Sequence, residues 1–250
     1  MAIFVVVGGT GMIGSKVVAK LVERGHHAVP ASPSTGVDAV TGDGLPGALA
    51  DAQVVIDVSN SPSLEDEAVL DFFTTSTSSL LPAEIAAGVG HHVALSIVGA
   101  DQLPDSGYMR AKIAQEQLIK QSGLPYSIVR AAQFYEFIDT IADFATNGST
   151  VRLPHALIQA VAADDVASAV TRVALGEPAD GMIEVVGPEP IGLDDLARRT
   201  LAHRSDPRDV VTDPDARYFG ALLSERTLLP GVKAVVCETR FSEWLNTVTS

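Results

Sequence analysis

The chain of 250 residues contains a single cysteine, Cys237. One cysteine excludes an intramolecular disulfide and a zinc site built from several thiolates. The longest apolar runs, such as 2–7, are far shorter than the roughly 20 residues that cross a bilayer, which predicts no membrane span. No basic segment precedes that first run. We therefore expect a mature protein without a signal peptide, in the reducing cytoplasm.

Positive charge is also scarce. The chain has 17 lysines and arginines against 31 acidic residues, a formal net charge of −14, and it has no basic stripe interleaved with aromatics. This charge would repel a phosphate backbone, so we expect no nucleic-acid partner. The few lysines, each of which gains weight inside a motif, are Lys16, Lys20, Lys112, Lys120 and Lys233.

Apolar and amphipathic segments alternate through the first half of the chain. Residues 2–7 form a continuous β-branched run, typical of a strand buried on both faces, and 12–24 show helical spacing that ends at Gly25. Further strands are predicted near residue 28 and at 54–58, 92–98 and 126–130, with helices at 64–89 and 108–121. The alternation predicts an α/β protein with a doubly wound parallel sheet, the Rossmann fold.

After Gln133 the pattern becomes less regular. Helices are predicted at 134–146, 165–175 and 193–204, and short strands near Ile158 and Ile183. The chain is long enough for one substantial core, so we expect a single unit over 1–250. Its cofactor-binding core would lie mainly in 1–133, and a small C-terminal region within 134–250 would cover the substrate.

A glycine-rich turn follows the first predicted strand. Gly8, Gly11 and Gly14 have the spacing G-x-x-G-x-x-G, and a helix begins directly after them. Free N–H groups and the positive end of that helix attract a pyrophosphate, which predicts a nicotinamide dinucleotide here. A tight turn without a ligand is the alternative. The predicted contacts are Gly8, Thr10, Gly11, Met12, Ile13 and Gly14.

The residue that distinguishes NAD from NADP is Ser32 in this chain. A carboxylate about 20 positions beyond the glycines usually selects NAD, and Ser32 offers neither that carboxylate nor an arginine. Lys16 or Arg24 could reach a 2′-phosphate, which slightly favours NADP(H) over NAD(H). Both cations are equally compatible with a solvated helix surface.

Three segments carry a family resemblance. They are Gly8-Gly9-Thr10-Gly11-Met12-Ile13-Gly14, residues 107–112 (GYMRAK) and residues 122–130 (SGLPYSIVR). With these, the chain resembles the atypical short-chain dehydrogenase/reductases of the NmrA-like group over about the first 175 residues, including the ADDVA segment at 163–167. Members of that group divide into reductases, isomerases and cofactor-sensing regulators.

The resemblance implies a Tyr-x-x-x-Lys pair, and Tyr108 with Lys112 matches it. Residues four apart share one face of a helix, so the ammonium would lower the phenol pKa from its ordinary value of about 10. Tyr108 would then donate a proton to a substrate carbonyl, and Lys112 would also bind the nicotinamide ribose. An ordinary surface tyrosine and lysine is the alternative.

The resemblance also suggests roles for residues beside the cofactor. Ser96 would orient the carbonyl or else be a core serine, and Asp43 would contact adenine or else form a turn. Ser59 and Asn60 follow the strand expected to border the cofactor. The family often has Arg-Pro where this chain has Arg130-Ala131, which leaves the local backbone contact open.

Three aromatic residues follow the strand that should end at the nicotinamide. Phe134, Tyr135 and Phe137 are expected to line an apolar substrate pocket, with core packing as the alternative. The histidine pairs 26–27 and 91–92 lie at strand starts, where adjacent side chains point to opposite faces, so no metal site is predicted.

These observations favour an NAD(P)(H)-dependent oxidoreductase. Its small-molecule substrate would carry a carbonyl or quinone and be apolar or aromatic. A dinucleotide-sensing regulator without chemistry is the second hypothesis, although a sensor needs no proton donor at Tyr108. The third is an isomerase or oxygenase-type enzyme acting on an aromatic polyketide-like compound.

Overall fold

The computed structural model describes residues 2–248. The strands are β1 (Ile3–Val7), β2 (His27–Ala31), β3 (Val54–Asp57), β4 (His91–Ile97), β5 (Tyr126–Ala131), β6 (Thr146–Asn147), β7 (Thr150–Leu153), β8 (Leu157–Ile158), β9 (Gly181–Val186), β10 (Ile191–Gly192), β11 (Asp209–Thr212), β12 (Arg217–Tyr218), β13 (Ala221–Leu222) and β14 (Val235–Val236). The helices are α1 (Met12–Glu23), α2 (Leu45–Ala48), α3 (Asp66–Ala87), α4 (Gly107–Gln121), α5 (Ile138–Phe144), α6 (Ala163–Ala174), α7 (Leu193–His203) and α8 (Phe241–Thr247).

A seven-stranded parallel sheet forms the centre of the molecule, in the order β14-β9-β5-β4-β3-β1-β2. The predicted Rossmann fold with a doubly wound sheet is confirmed. The chain leaves β1 toward β2 and then returns to place β3 on the other side of β1. This reversal opens a crevice outside the carboxyl ends of β1 and β3, where ligands bind in such sheets.

Two helix layers cover the sheet because its strands are apolar on both faces. Residues 4–7 of β1 are almost entirely buried. Phe4 and Val6 pack with α1 and α6 on one face. Val5 packs with Leu80 of α3 on the other face. Helices α3 and α4 lie together on that second face, and α4 supplies two of the residues predicted to be catalytic, Tyr108 and Lys112.

The C-terminal part departs from the sequence predictions in several places. The helix predicted at 134–146 is a 3₁₀ turn, Tyr135–Phe137, followed by the short helix α5. The predicted strand near Ile158 is β8, which pairs antiparallel with β10 outside the central sheet. The strand near Ile183 is β9, and it joins the central sheet. Among residues 2–248, no helix combines the length and hydropathy needed to cross a bilayer.

Candidate dinucleotide and substrate site

The glycine turn is packed between the ends of β1, β2 and β3. Gly8 has a φ of +77°, and its N–H donates to Ala31 O at 2.9 Å. A Cβ on Gly8 would lie 2.8 Å from the Ser59 backbone, and a Cβ on Gly14 would lie 2.1 Å from Gly8 O. Glycine is therefore required at both positions by the fold itself.

The amino end of α1 is open toward the crevice. Gly11 is the N-cap residue, and no side chain caps the helix. The Ser15 N–H donates to Gly11 O as in a regular helix. The N–H groups of Met12 and Ile13 come before it and have no acceptor within the helix. A Cβ on Gly11 would meet only Gly8 O, at 3.2 Å. The turn thus presents free N–H groups and the positive end of the helix dipole to the cavity, and no side chain within residues 2–248 blocks the approach of a pyrophosphate.

A cluster of hydroxyl groups lies beside this turn. Thr10 Oγ1 donates to Ser32 Oγ at 3.1 Å, and Ser32 Oγ lies 2.9 Å from Ser34 Oγ. Ser32 is buried directly after β2. The wall that would face the adenine ribose is therefore neutral and polar around Ser32.

The two cations considered for a 2′-phosphate are engaged elsewhere. Lys16 Nζ lies 3.7 Å from a carboxylate oxygen of Asp164 on α6. Arg24 follows the carboxyl end of α1 and donates to Lys20 O at 2.8 Å. Because α1 rises about 1.5 Å per residue, Arg24 lies about 18 Å from the glycine turn, at the opposite edge of the sheet. The expectation that Arg24 reaches a 2′-phosphate is wrong.

A cavity of about 910 Å³ runs from the glycine turn to a group of aromatic side chains. Most of the predicted site residues line it: Gly8, Thr10, Gly11, Met12, Ile13, Ser32, Ser59, Asn60, Ser96, Tyr108, Lys112, Phe134 and Phe137. A volume of this size fits the range of small-molecule and cofactor sites.

Three other predicted residues do not line the cavity. Gly14 is buried in α1, where it packs against Gly8 and Gly9. Asp43 is exposed in a turn, where its carboxylate accepts from Thr41 Oγ1 at 2.9 Å, so the turn-forming alternative describes it. Tyr135 is 1% exposed. Its hydroxyl donates to Thr239 O at 3.1 Å, and its ring packs against Phe241. Tyr135 is therefore a core residue, because its side chain extends from the 3₁₀ turn away from the cavity.

Tyr108 lies on the wall of the cavity at the start of α4. Its hydroxyl donates to Asn60 Oδ1 at 2.6 Å. Burial raises the pKa of Tyr108 to about 12. The pKa was expected to fall under the influence of Lys112, so that expectation is wrong for this arrangement of the side chains.

Lys112 is buried between α4 and α3, where it contacts Gln115 and Phe73. Its ammonium donates to Gln115 Oε1 and lies 4.1 Å from the centroid of the Phe73 ring. Burial lowers the pKa of Lys112 to about 8, although Asp57 and Glu116 oppose the fall. At neutral pH most of the Lys112 side chains are therefore still protonated, and the ammonium is poorly hydrated because it is buried.

A buried carboxylate at the end of β3 completes this network. Asp57 Oδ2 accepts from Gln115 Nε2 at 2.9 Å. Its Oδ1 accepts from the Ser59 N–H at 2.9 Å and the Ser59 hydroxyl at 2.6 Å. Asp57 therefore joins Lys112, through Gln115, to the loop that borders the cofactor end of the cavity. Asp57 was not among the predicted site residues, because its only signal in the sequence is a charge at the end of an apolar run.

Ser96 is committed to a second buried network. Its hydroxyl donates to Glu116 Oε1 at 2.7 Å, and Arg130 donates twice to the same carboxylate at 2.8 Å. Burial raises the Glu116 pKa, but the hydrogen bonds from Arg130 and Ser96 outweigh it and the pKa is lowered. This arrangement favours the core-serine alternative for Ser96.

Aromatic side chains from two parts of the chain form the far end of the cavity. Phe134 and Phe137 come from the segment after β5, and Tyr218 and Phe219 come from the β12–β13 hairpin. This hairpin was not predicted from the sequence. Its strands have only two residues each, too few for a detectable alternation of polar and apolar side chains.

The histidines of the 91–92 pair have separate partners. His91 Nε2 lies 2.9 Å from Ser127 Oγ, and His92 Nδ1 lies 2.9 Å from Glu84 Oε1. A different cluster brings His155, Asp194 and Asp195 together. His155 Nδ1 lies 2.7 Å from Asp194 Oδ1, while Asp195 accepts from Arg198. These contacts describe an ion-pair cluster near the surface.

Comparisons with known proteins agree with the geometry. The sequence model of the NAD(P)H-binding family matches residues 8–176. Photosystem II assembly factor Ycf39 from Trieres chinensis is 26% identical over 145 residues, which are 52% of this chain and 46% of that protein. The chain spans about half the length of the curated relatives it matches.

Two solved structures illustrate the likeness in fold. The UDP-N-acetylglucosamine 4-epimerase from Bacillus cereus has a TM-score of 0.72 at 18% identity, over 99% of this chain and 96% of that one. A new type of NADPH-dependent quinone oxidoreductase from Escherichia coli has a TM-score of 0.66 at 17% identity, over 98% of both chains. At these identities the likeness is one of fold alone.

Proposed function

Because this chain belongs to the NAD(P)H-binding family, we propose that it is an NAD(P)(H)-dependent oxidoreductase. Its substrate is a carbonyl compound or quinone that is small and apolar or aromatic. One observation carries the proposal: a single cavity joins the glycine turn, the Tyr108 hydroxyl and the aromatic side chains. Cofactor, proton donor and substrate can therefore meet in one cavity.

The cofactor fits the end of the cavity formed within residues 1–133. The N–H groups of Met12 and Ile13 bind the pyrophosphate, and Ser59 and Asn60 border the nicotinamide half. The neutral wall at Ser32 accepts NADP(H) as well as NAD(H). Because Arg24 is remote and Lys16 is paired with Asp164, we expect any preference for NADP(H) to be small.

Tyr108 supplies the proton in the reductive direction. With a pKa of about 12, its phenol is protonated at neutral pH, which is the form that can donate. When bound, the reduced nicotinamide supplies the hydride that reaches the carbonyl carbon. The substrate oxygen replaces Asn60 Oδ1 as the acceptor of the Tyr108 hydrogen bond and takes its proton, which solvent then restores. Lys112 lies four residues further on the same helix and binds the nicotinamide ribose.

The charge of the cavity wall favours a substrate without phosphate groups. Within residues 2–248, Lys112 is the only basic side chain that lines the cavity, and its ammonium already donates to Gln115. A sugar nucleotide would bring a diphosphate with no arginine or free lysine to pair with it. The fold is shared with a UDP-sugar epimerase, but the wall suits a neutral substrate.

Oxidation of reduced cofactor tests the proposal. NADPH and NADH would each be followed at 340 nm with small benzoquinones, naphthoquinones and aromatic ketones, with a 4-keto sugar nucleotide as the control substrate. We expect sustained turnover with at least one quinone or aromatic ketone and none with the sugar nucleotide. Dinucleotide binding without turnover of any compound in the panel would contradict the proposal.

A dinucleotide-sensing regulator is the second candidate, and one observation favours it. Tyr108 is not activated in this structure, because burial raises its pKa and its hydroxyl is bonded to Asn60. A sensor would bind both redox forms of the cofactor and consume neither. The turnover assay above separates the two functions.

A further inference from the structure

Two nearly parallel phenylalanine rings line the aromatic end of the cavity. The Phe137 and Phe219 centroids are 6.5 Å apart and the ring planes differ by 25°, which is within the range of a stacked aromatic pair. Aromatic carbons in contact lie about 3.5 Å apart, so a flat ring between two others needs about 7 Å between the outer ring planes. Phe219 would therefore have to move away from Phe137 to admit a planar ring.

The backbone holds Phe219 at this place at some cost. Phe219 has a φ of +44° and Gly220 a φ of +87°, at the two central positions of the β12–β13 turn. Such a turn is normally filled by glycine, asparagine or aspartate, and a bulky residue with positive φ is uncommon. Strain of this kind is concentrated where a side chain serves a ligand site.

A weakly paired amide lies in the wall of the same cavity. Gln133 is 8% exposed, and its amide faces the Tyr218 hydroxyl without forming a hydrogen bond of 3.5 Å or shorter to any group within residues 2–248. Leaving buried polar groups unpaired is costly. A ligand oxygen that accepts from Gln133 Nε2 would remove part of this cost.

From these three observations we propose that Phe137 and Phe219 clamp a planar, uncharged aromatic ring and that Gln133 binds an oxygen substituent on it. The substrate class is therefore a flat bicyclic or similar aromatic bearing a carbonyl or hydroxyl group, not a simple aliphatic ketone. The inference rests on the proposed function only in taking this cavity as the substrate site.

Equilibrium dialysis with three probes tests the clamp, in the presence of saturating NADP⁺ or NAD⁺. The probes are 2-naphthol, its saturated and non-planar counterpart 2-decalol, and naphthalene, which lacks the hydroxyl. We expect 2-naphthol to bind more tightly than either of the others. Phe219→Leu should weaken both flat probes by about 3- to 10-fold and leave 2-decalol nearly unchanged.

Matched variants separate the contributions. Phe144 packs on Phe219 at 5.3 Å but is exposed and does not line the cavity, so Phe144→Leu should leave all affinities within about twofold. Gln133→Met keeps the side-chain length without the amide. It should weaken 2-naphthol by about 3- to 10-fold and leave naphthalene unchanged.

The clamp is refuted if the wild-type protein binds 2-decalol as tightly as 2-naphthol, or if Phe219→Leu does not discriminate between them. If thermal unfolding shows that Phe219→Leu is not folded, Phe137→Leu is used in its place. Probe binding as expected without oxidation of NAD(P)H by any quinone or ketone of the panel would overturn the proposed function alone. Turnover that is equal for flat and non-planar carbonyl compounds, and unaffected in Phe219→Leu, would overturn the clamp alone.

Discussion

Replacing Lys112 by methionine gives the sharpest test of the buried network under α4. Lys112 is 4% exposed, and burial lowers its pKa from the ordinary 10.5 to about 8. In the unfolded chain the ammonium is fully hydrated, so the folded protein carries a free-energy penalty while Lys112 is protonated. Lys112→Met keeps the length of the side chain and removes this penalty.

The size of the penalty follows from the pKa. A fall from 10.5 to about 8 corresponds to about 3 kcal/mol at pH 7. The variant also loses the contact with Phe73 and leaves Gln115 Oε1 unpaired, which costs about 1–3 kcal/mol. At pH 7 these effects nearly cancel, so a single unfolding measurement does not decide the matter.

The pH dependence of the free energy of unfolding does show whether the buried ammonium carries this penalty. The folded pKa lies below the unfolded one, so the penalty is complete below about pH 8 and disappears as the pH rises toward 10.5. Urea unfolding of both proteins from pH 7 to 10.5 should show the wild type gaining about 3 kcal/mol relative to Lys112→Met. The exposed Lys233, changed to methionine, controls for loss of a charge. A constant difference between wild type and Lys112→Met across this range would refute the reasoning.

Three further predictions concern the proton donor, the glycine turn and the core. Tyr108→Phe should lower turnover by about 10²- to 10⁴-fold in steady-state assays, with the dinucleotide-induced rise in melting temperature unchanged. Gly11→Val should fold but lose that rise, about 5–10 °C at 100 times Kd, in differential scanning fluorimetry, whereas Gly14→Ala should melt lower without ligand because its Cβ meets Gly8 O. Arg130→Met, which leaves the buried carboxylate of Glu116 without its main partner, should cost about 3–5 kcal/mol in urea unfolding, against about 0–1 kcal/mol for Arg198→Met on the surface.

The cofactor end of the site was predictable because its signals are local in sequence. The buried strand, the glycine spacing and the helix of residues 3–23 adjoin one another, and each has a distinctive pattern. Ser59 and Asn60, predicted as cofactor contacts, line the cavity for a related reason. They follow a buried strand, and parallel strands end at the same edge of the sheet.

The chemistry of the side chains was not predictable, because it depends on partners far away in sequence. Asp57 and Gln115 are 58 positions apart. The pKa of Tyr108 depends on burial, which no four-residue spacing encodes. Tyr135 and Phe137 are aromatics two positions apart, and the 3₁₀ turn directs Tyr135 into the core and Phe137 to the cavity.

The hairpin that carries Tyr218 and Phe219 has an evolutionary consequence. It is built from two strands of two residues each and lies outside the central sheet, far along the chain from the glycine turn. If the cavity is the substrate site proposed above, substitutions in the hairpin would change which substrates it accepts and leave the glycine turn intact. A directed-evolution library for new substrates can therefore be confined to the six residues 217–222.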